Sequence, residues 1–159
     1  MLVFNPMLDT PQIIQTTAQL TAFIHVTVSW EGIRDVMDPG IGELLATLAA
    51  QGIAPIGPVF THHLRRPADT FDFEISVPVS APVAASGRVQ PGTWPAMKVA
   101  RTFYHGAYEG LGDAWGEFMD WIEANAHTQA PDLYERYVTG PEASPDPSTW
   151  RTELIRPLL

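Results

Sequence analysis

The sequence predicts an α+β fold in which one β-α-β-β unit occurs twice, related by pseudo-two-fold symmetry. Two internal repeats indicate the duplication. Trp30-Glu31-Gly32-Ile33 returns as Tyr108-Glu109-Gly110-Leu111, an offset of 108 − 30 = 78 residues. The copies also end alike, since Glu74-Ile75 and Pro78 correspond to Glu153-Leu154 and Pro157, where 157 − 78 = 79. We expect antiparallel sheets with helices on one face and a central ligand groove between the copies.

The domain boundaries follow from this repeat. The whole chain, 1–159, is expected to form one domain, because 159 residues suffice for one core but not for two ordinary ones. The first copy spans about 12–79 and the second about 96–158. Between them, over about 80–95, Pro, Ala, Gly and Ser dominate and predict a linker. Residues 1–11 are expected to be a leader that ends at Pro11.

The first copy begins as strand and continues as helix. From Gln12 to Ser29 the chain is rich in Thr, Ile, Val and Phe and lacks Pro and Gly, which favours strand. Asp38-Pro39 offers a helix cap followed by the residue tolerated at the first helical position. Apolar residues then recur at helical spacing until Gly52 ends the run. We therefore expect the first helix to begin at Asp38-Pro39.

Two strands complete the first copy. A short strand is predicted around 59–64 and a turn at 66–69. In the next strand, 70–77, apolar side chains alternate with polar ones, the period of a sheet with one wet face. The alternating residues are Phe71, Phe73, Ile75 and Val77.

The second copy repeats this order. A strand is predicted over 97–105 and a helix over 111–125, followed by strands over 133–138 and 150–155. The helix carries a continuous apolar face, as expected for a helix packed on a sheet. That face is formed by Leu111, Trp115, Phe118, Met119 and Ile122.

Composition excludes several classes of function. The net charge is −9 with nine basic residues, too few and too scattered for a nucleic-acid-binding face. The absence of cysteine excludes disulfides, thiolate metal sites and cysteine nucleophiles. The N-terminus lacks a secretion signal, and no window reaches the ~18 apolar residues of a membrane helix. We expect a cytoplasmic protein with no nucleic-acid or membrane partner.

The histidines do not predict a metal site. His62 and His63 are adjacent in a strand, so they point to opposite faces. The other three histidines are scattered, and the chain contains no HExxH, P-loop, GxGxxG or GxSxG motif. We expect no metal and no cofactor.

Glu135 is the residue with the most chemical interest. By strand parity, Leu133 and Tyr137 share its side, and Tyr134, Arg136 and Val138 point the other way. One interpretation is an edge strand with an exposed carboxylate, paired to Arg136 or Arg101. The other is a carboxylate at the floor of an aromatic cleft. There it would be the counter-charge for a lipophilic cation or a general base that activates water. The sequence does not choose between these uses.

Aromatic residues concentrate in the second copy. Trp115 and Phe118, on the helix, are interpreted as core. A glycine bulge near Gly106 would break strand alternation, so parity alone does not fix the facing of the aromatic residues before it. The candidates for a cleft wall lie in strands or at strand ends: Trp30, Phe103, Tyr108, Tyr137 and Trp150.

The chain resembles the GyrI-like small-molecule-binding family, the module also found as the effector-binding domain of AraC-type and multidrug-sensing transcription activators. The likeness covers residues 10–158. It rests on Tyr104-His105-Gly106-Ala107-Tyr108-Glu109-Gly110-Leu111, Ala114-Trp115, Trp121-Ile122 and Tyr134-Glu135-Arg136-Tyr137. The resemblance implies a duplicated β-α-β-β fold with a ligand in the central groove and a strand glutamate on its floor, which Glu135 matches. It also implies wall positions at Tyr137, Phe103, Tyr108 and Trp150, and by internal symmetry at Trp30.

Two departures from the family pattern bear on function. The regulators carry an upstream helix-turn-helix domain for which this chain has no room, so a stand-alone module is expected. His62-His63 replaces an aromatic residue of many relatives, which changes the expected ligand preference. The predicted function is sensing or sequestration of an amphipathic or cationic aromatic molecule. One alternative is a hydrolase of cyclopropyl-bearing genotoxic natural products, with Glu135 activating water; the other is a modulator of DNA gyrase. The oligomeric state stays open.

Overall fold

The computed structural model describes residues 8–65 and 69–159, apart from the side chain of Trp30. Most of the predicted leader and the centre of the turn at 66–69 lie outside these ranges. The helices are α1 (Ile33–Ala50) and α2 (Leu111–Ala124). The strands are β1 (Gln12–Gln15), β2 (Gln19–Ser29), β3 (Phe60–His63), β4 (Thr70–Pro78), β5 (Val89–Trp94), β6 (Lys98–His105), β7 (Leu133–Thr139) and β8 (Arg151–Pro157).

The strands form one sheet in the order β1-β6-β8-β7-β3-β4-β2-β5, and every pair of neighbours is antiparallel. The first copy is β2-α1-β3-β4 and the second is β6-α2-β7-β8. The copies join where β3 pairs with β7 and Thr61 lies opposite Glu135. The predicted duplicated α+β fold is confirmed, and the two sheets expected side by side are one continuous sheet.

Both helices begin at the same point of the repeat. Each follows a short 3-10 turn, Trp30–Gly32 or Tyr108–Gly110, and their first residues are 111 − 33 = 78 positions apart. The predicted helix start at Asp38-Pro39 is wrong, because Pro39 lies inside α1. Proline has no backbone N–H, so the bond that this residue would donate to the carbonyl of Asp35 is absent. The preceding turn and the packing of α1 outweigh that loss.

Both helices cover the same face of the sheet, called here the helical face. Leu44 and Leu48 of α1 pack in one cluster with Ile75 of β4. Phe118 of α2 packs in a second cluster with Leu154 of β8. In the described ranges, neither helix combines the length and the hydropathy that a bilayer crossing requires.

The sheet is rolled so that its other face, the inner face, becomes concave. The segment predicted as a linker contains β5, and only 95–97 separate it from β6. β5 is eighth and β6 second in the sheet order, so 8 − 2 = 6 strand spacings lie between them. A flat sheet would place them about 29 Å apart, but four residue steps reach at most ~14 Å. The sheet must therefore curve to bring β5 and β6 within this reach. In agreement, Trp94 of β5 packs on Tyr134 of β7, with ring centroids 4.3 Å apart.

Candidate functional site

The predicted cleft residues meet on the helical face, at the seam between the copies. Thr61 and His63 of β3 and Glu135 and Tyr137 of β7 point to this face by strand parity, since Glu135 lies opposite Leu154 of the α2 core. We call the following group the seam site: Thr61, His63, Tyr108, Trp115, Glu135, Tyr137 and Trp150.

Glu135 is held by two neutral donors. The indole Nε1–H of Trp115 donates to Glu135 Oε2 at 2.7 Å, and the hydroxyl of Tyr137 donates to Oε1 at 2.8 Å. The side chain is half-buried, and β7 lies inside the sheet between β8 and β3. The interpretation of an exposed edge carboxylate paired to Arg136 or Arg101 is therefore wrong.

Those two arginines pair with a different carboxylate. Glu153 is buried on the inner face, with its oxygens 2.8 Å from Arg136 Nε and 3.4 Å from Arg101 Nη1. Adjacent residues of β8 point to opposite faces. Glu153 therefore lies on the inner face, and Leu154 lies on the helical face opposite Glu135. No basic side chain in the described part of the structure forms an ion pair with Glu135.

A hydrogen-bonded chain leads from Glu135 into the first copy. The Tyr137 hydroxyl is 3.0 Å from Thr61 Oγ1, which is 3.2 Å from His63 Nε2. An ionised carboxylate only accepts, so the Tyr137 hydroxyl donates a hydrogen bond to Glu135. Thr61 then donates to Tyr137, and His63 Nε2–H donates to Thr61. His63 Nδ1 is buried and has no hydrogen-bond partner in the part of the chain described.

Burial keeps the groups around Glu135 neutral. Burial lowers the pKa of His63 below its ordinary value, against the opposing pull of Glu135. Burial and the Glu135 carboxylate hold the pKa of Tyr137 well above its usual range. Burial, together with Glu142 and Glu135, also raises the pKa of Tyr108. At neutral pH the site therefore presents one carboxylate among protonated hydroxyls and an uncharged imidazole.

Aromatic rings wall one side of the seam site. Tyr108 packs edge-on against Tyr137 at 5.9 Å and lies 5.1 Å from Trp150 between ring centroids. Trp150 is fixed by its Nε1–H, which donates to Ser144 O at 2.9 Å. Gly140 permits the close approach, because a Cβ there would lie 2.6 Å from the Tyr108 hydroxyl. The structure thus brings together four of the six predicted ligand residues: Glu135, Tyr137, Tyr108 and Trp150.

Phe103 does not belong to this group. It lies opposite Glu153, whereas Glu135 lies opposite Leu154, so the assignment of Phe103 to the same cleft is wrong. Alternation along β6 stays regular up to His105, and the glycine that follows does not re-aim Phe103. Its ring lies under Arg151 on the inner face, 4.0 Å from the guanidinium carbon. The sixth predicted residue, Trp30, has a side chain outside the described part of the structure.

The sequence interpretation missed the donors of the site. Trp115 is buried, as expected of a core residue, but its indole N–H is the shorter of the two bonds to Glu135. A buried indole N–H needs an acceptor, and that requirement is the signal available in the sequence. Thr61 and His63 carry no comparable signal, because only the β3–β7 pairing places them beside Glu135.

A separate cavity lies on the inner face, behind the seam site. Its volume is about 410 Å³. Its walls come from β2, β3, β4 and β5, from the connection to β6 and from the start of β7. They include Phe23, Phe60, His62, Glu74, Trp94, Met97, Asp132 and Tyr134. We call this space the inner cavity. None of the five predicted ligand residues whose side chains the structure describes lines it.

Comparison with known proteins places the chain among small-molecule-binding domains. The family model of the GyrI-like small molecule binding domain matches residues 9–159. No curated protein sequence matches the chain. EcmrR in a DNA complex is similar in structure, with 20% identity and a TM-score of 0.83 over 96% of this chain and 57% of that one. This chain therefore spans little more than half of that EcmrR chain. The EcmrR C-terminal domain alone gives 19% identity and a TM-score of 0.84, over 94% of this chain and 97% of that one.

Two further solved proteins share the fold. A hydrolase from Listeria innocua has 11% identity and a TM-score of 0.67, over 94% of this chain and 91% of that one. SAV2435 bound to tetraphenylphosphonium has 13% identity and a TM-score of 0.63, over 95% of this chain and 94% of that one. At these identities the likeness shows the fold alone.

Proposed function

The chain belongs to the GyrI-like small molecule binding domain family, and from this premise we propose that it binds an amphipathic, cationic aromatic molecule at the seam site. The biological role we propose is sensing or sequestration of that molecule. The observation that carries the proposal is the Glu135 carboxylate, half-buried between two neutral donors at 2.7 and 2.8 Å.

The electrostatics of the site favour a cationic ligand. Trp115 and Tyr137 orient the carboxylate of Glu135 without cancelling its charge, because neither donor is cationic. Burial weakens the screening of that charge by water. A ligand cation would supply the missing counter-charge, and its flat body would contact the faces of Tyr108 and Trp150. The tetraphenylphosphonium bound by SAV2435 is a lipophilic cation of this chemical class.

Binding of tetraphenylphosphonium, measured by calorimetry, tests the proposal. We expect wild-type protein to bind this probe and Glu135→Gln to bind it at least ~10-fold more weakly, about 1.4 kcal/mol. Glu123→Gln is the matched control, because it removes the same charge from an exposed position near the end of α2. Unchanged affinity in Glu135→Gln, or an equal loss in both variants, would contradict a site built on Glu135.

Hydrolysis is the second candidate function, supported by the hydrogen-bonded chain from Glu135 to His63. The donors of this chain all point toward Glu135, from His63 through Thr61 and Tyr137, so they hold its carboxylate in an orientation in which it can act as a general base. Glu135 would take a proton from water as the water oxygen bonds to a strained cyclopropyl carbon. One ring C–C bond breaks, its electron pair stays on the substrate, and Glu135 returns the proton there. Chromatography of such a compound after incubation decides between the candidates. Product formation lost in Glu135→Gln supports catalysis, and binding without product supports sensing or sequestration.

A further inference from the structure

The inner cavity has an apolar wall and one charged end. Phe23 and Met97 are partly exposed on its wall, backed by the buried rings of Phe60 and Trp94, whose centroids are 4.9 Å apart. A volume of about 410 Å³ lies within the range of small-molecule sites. The 95–97 connection crosses beside it, so the rolled sheet and this connection enclose the space from two sides.

The charged end is built around His62. Its Nδ1 lies 3.2 Å from Glu74 Oε1 and its Nε2 lies 2.7 Å from Asp132 Oδ2. A neutral imidazole has one N–H, so two carboxylate partners require the protonated ring. The ring is also stacked on Tyr134 at 4.1 Å, nearly parallel. Burial alone would lower the pKa of His62, but the bonds to Asp132 and Glu74 outweigh it and raise the pKa to about 9.

Charge counting leaves one negative charge at this end. Two carboxylates and one imidazolium sum to −1. Arg156 also helps to lower the pKa of Asp132, but it does not line the cavity and its guanidinium donates to Ala130 O. His62 engages Oε1 of Glu74 and Oδ2 of Asp132, so each carboxylate retains a second oxygen that the imidazolium does not use. Both side chains are about a quarter exposed, at 23% and 26%. A protonated imidazole cannot coordinate a metal ion, and no metal-binding cluster occurs among residues 8–65 and 69–159.

We propose that the inner cavity is a second ligand site, distinct from the seam site, for a small primary amine with an aromatic body. The ammonium group lies at this end of the cavity, against the carboxylate oxygens of Glu74 and Asp132 that His62 does not engage, where it offsets the remaining charge. The aromatic body lies along Phe23 and Met97. The −1 charge of these three groups favours a monocation over neutral or anionic molecules, and a volume of about 410 Å³ favours a compact one over a tetra-aryl cation.

Nuclear magnetic resonance with 2-phenylethylammonium as the probe tests this on the wild-type chain. The indole N–H signals of Trp94 and Trp115 report the inner cavity and the seam site separately. We expect the probe to shift Trp94 and the amides of Phe23 and Gly92, which line the inner cavity, whether or not it also occupies the seam site and shifts Trp115. A shift of Trp115 without Trp94, or weak shifts spread over the surface, would overturn the proposal.

Calorimetry with variants tests the role of charge. Glu74→Gln and Asp132→Asn should each weaken 2-phenylethylammonium binding at least tenfold. Asp72→Asn is the matched control, because it lies on the same face of β4, pairs with His25 and does not line the inner cavity. It should change affinity less than twofold. The neutral probe 2-phenylethanol should bind at least tenfold more weakly. Equal affinity for the two probes, or equal losses in the Asp72 and Glu74 variants, would reject the site.

Discussion

The two copies share one fold but serve opposite faces of the sheet. The second copy supplies most of the seam site on the helical face, through Trp115, Glu135 and Tyr137. The first copy supplies the largest share of the walls of the inner cavity, six of the fourteen lining residues, from β2, β3 and β4. A duplicated scaffold thus need not give two equivalent sites. Because successive side chains of a strand point to opposite faces, each copy can keep the same backbone and place its functional side chains on a different face of the sheet.

The helices show how the copies diverged in packing. With the 78-residue offset, Gly40 of α1 corresponds to Phe118 of α2, since 118 − 78 = 40. Gly40 lets α1 approach the sheet closely, because a Cβ there would lie 2.6 Å from Ile75 Cδ1. Phe118 fills the corresponding space with a ring that is fully buried. The same offset relates Met37 to Trp115, so only the second helix carries a donor for Glu135.

The largest expected effect comes from breaking the second helix's packing. Phe118→Ala should lower the free energy of unfolding by about 3–5 kcal/mol, because it leaves a cavity under α2. Urea denaturation followed by circular dichroism measures this. Asp120→Ala, exposed on the same helix, should stay within about 0.5 kcal/mol of wild type. A loss below about 1 kcal/mol for Phe118→Ala would mean that α2 settles onto the sheet as closely as α1 does.

A smaller effect is expected in the pH dependence of stability. It should differ in sign between His62 and His63, the adjacent histidines of β3 that face opposite sides of the sheet. The folded-state pKa of His62, about 9, lies above the unfolded value near 6.5. Its contribution is therefore fully present below pH ~6.5 and is lost as pH rises through 9. The stability advantage of wild type over His62→Gln should shrink by roughly 2 kcal/mol between pH 6 and pH 10, after allowance for solvent screening.

The matched control for this experiment is His25→Gln, which removes an exposed histidine paired with Asp72. Its difference from wild type should change by less than about 0.5 kcal/mol over the same pH range. His63 has the opposite sign, because burial lowers its pKa: its contribution is present above pH ~6.5 and is lost as pH falls. A pH-independent difference for His62→Gln would contradict the imidazolium between Glu74 and Asp132.

The smallest expected effect tests how much the hydrogen bonds of the seam site stabilise the fold. Tyr137→Phe removes a donor to Glu135 and the acceptor for Thr61, and should cost about 1 kcal/mol of stability. Tyr108→Phe, which changes a ring in the same wall, should cost less than about 0.5 kcal/mol, because the residue is 36% exposed and water can replace what the hydroxyl contributes. Thermal denaturation of the two variants compares them. Equal losses would show that the chain from Glu135 to Thr61 does not stabilise the fold.

The sequence predicted local features better than long-range ones. Seven of the eight strands lie within or close to predicted strand segments, and α2 spans 111–124 against a predicted 111–125. Alternation predicted that Glu135 shares a face with Leu133 and Tyr137. It also predicted that His62 and His63 point to opposite faces, because strand parity needs only neighbouring residues. The start of α1 was misplaced by a local proline signal. The repeated turn before Ile33 indicated the correct start.

Residue pattern alone determined that this chain folds as two β-α-β-β units with Glu135, Tyr137 and an aromatic wall as candidate ligand residues. Tertiary structure decided which acid the arginines pair with, that Trp115 holds Glu135, and that Phe103 faces the inner side. It also decided that the sheet rolls up to enclose a cavity behind the seam. The reason is that parity and amphipathic period are set within a few residues. Partners across the sheet depend on register and curvature, which only the folded chain fixes.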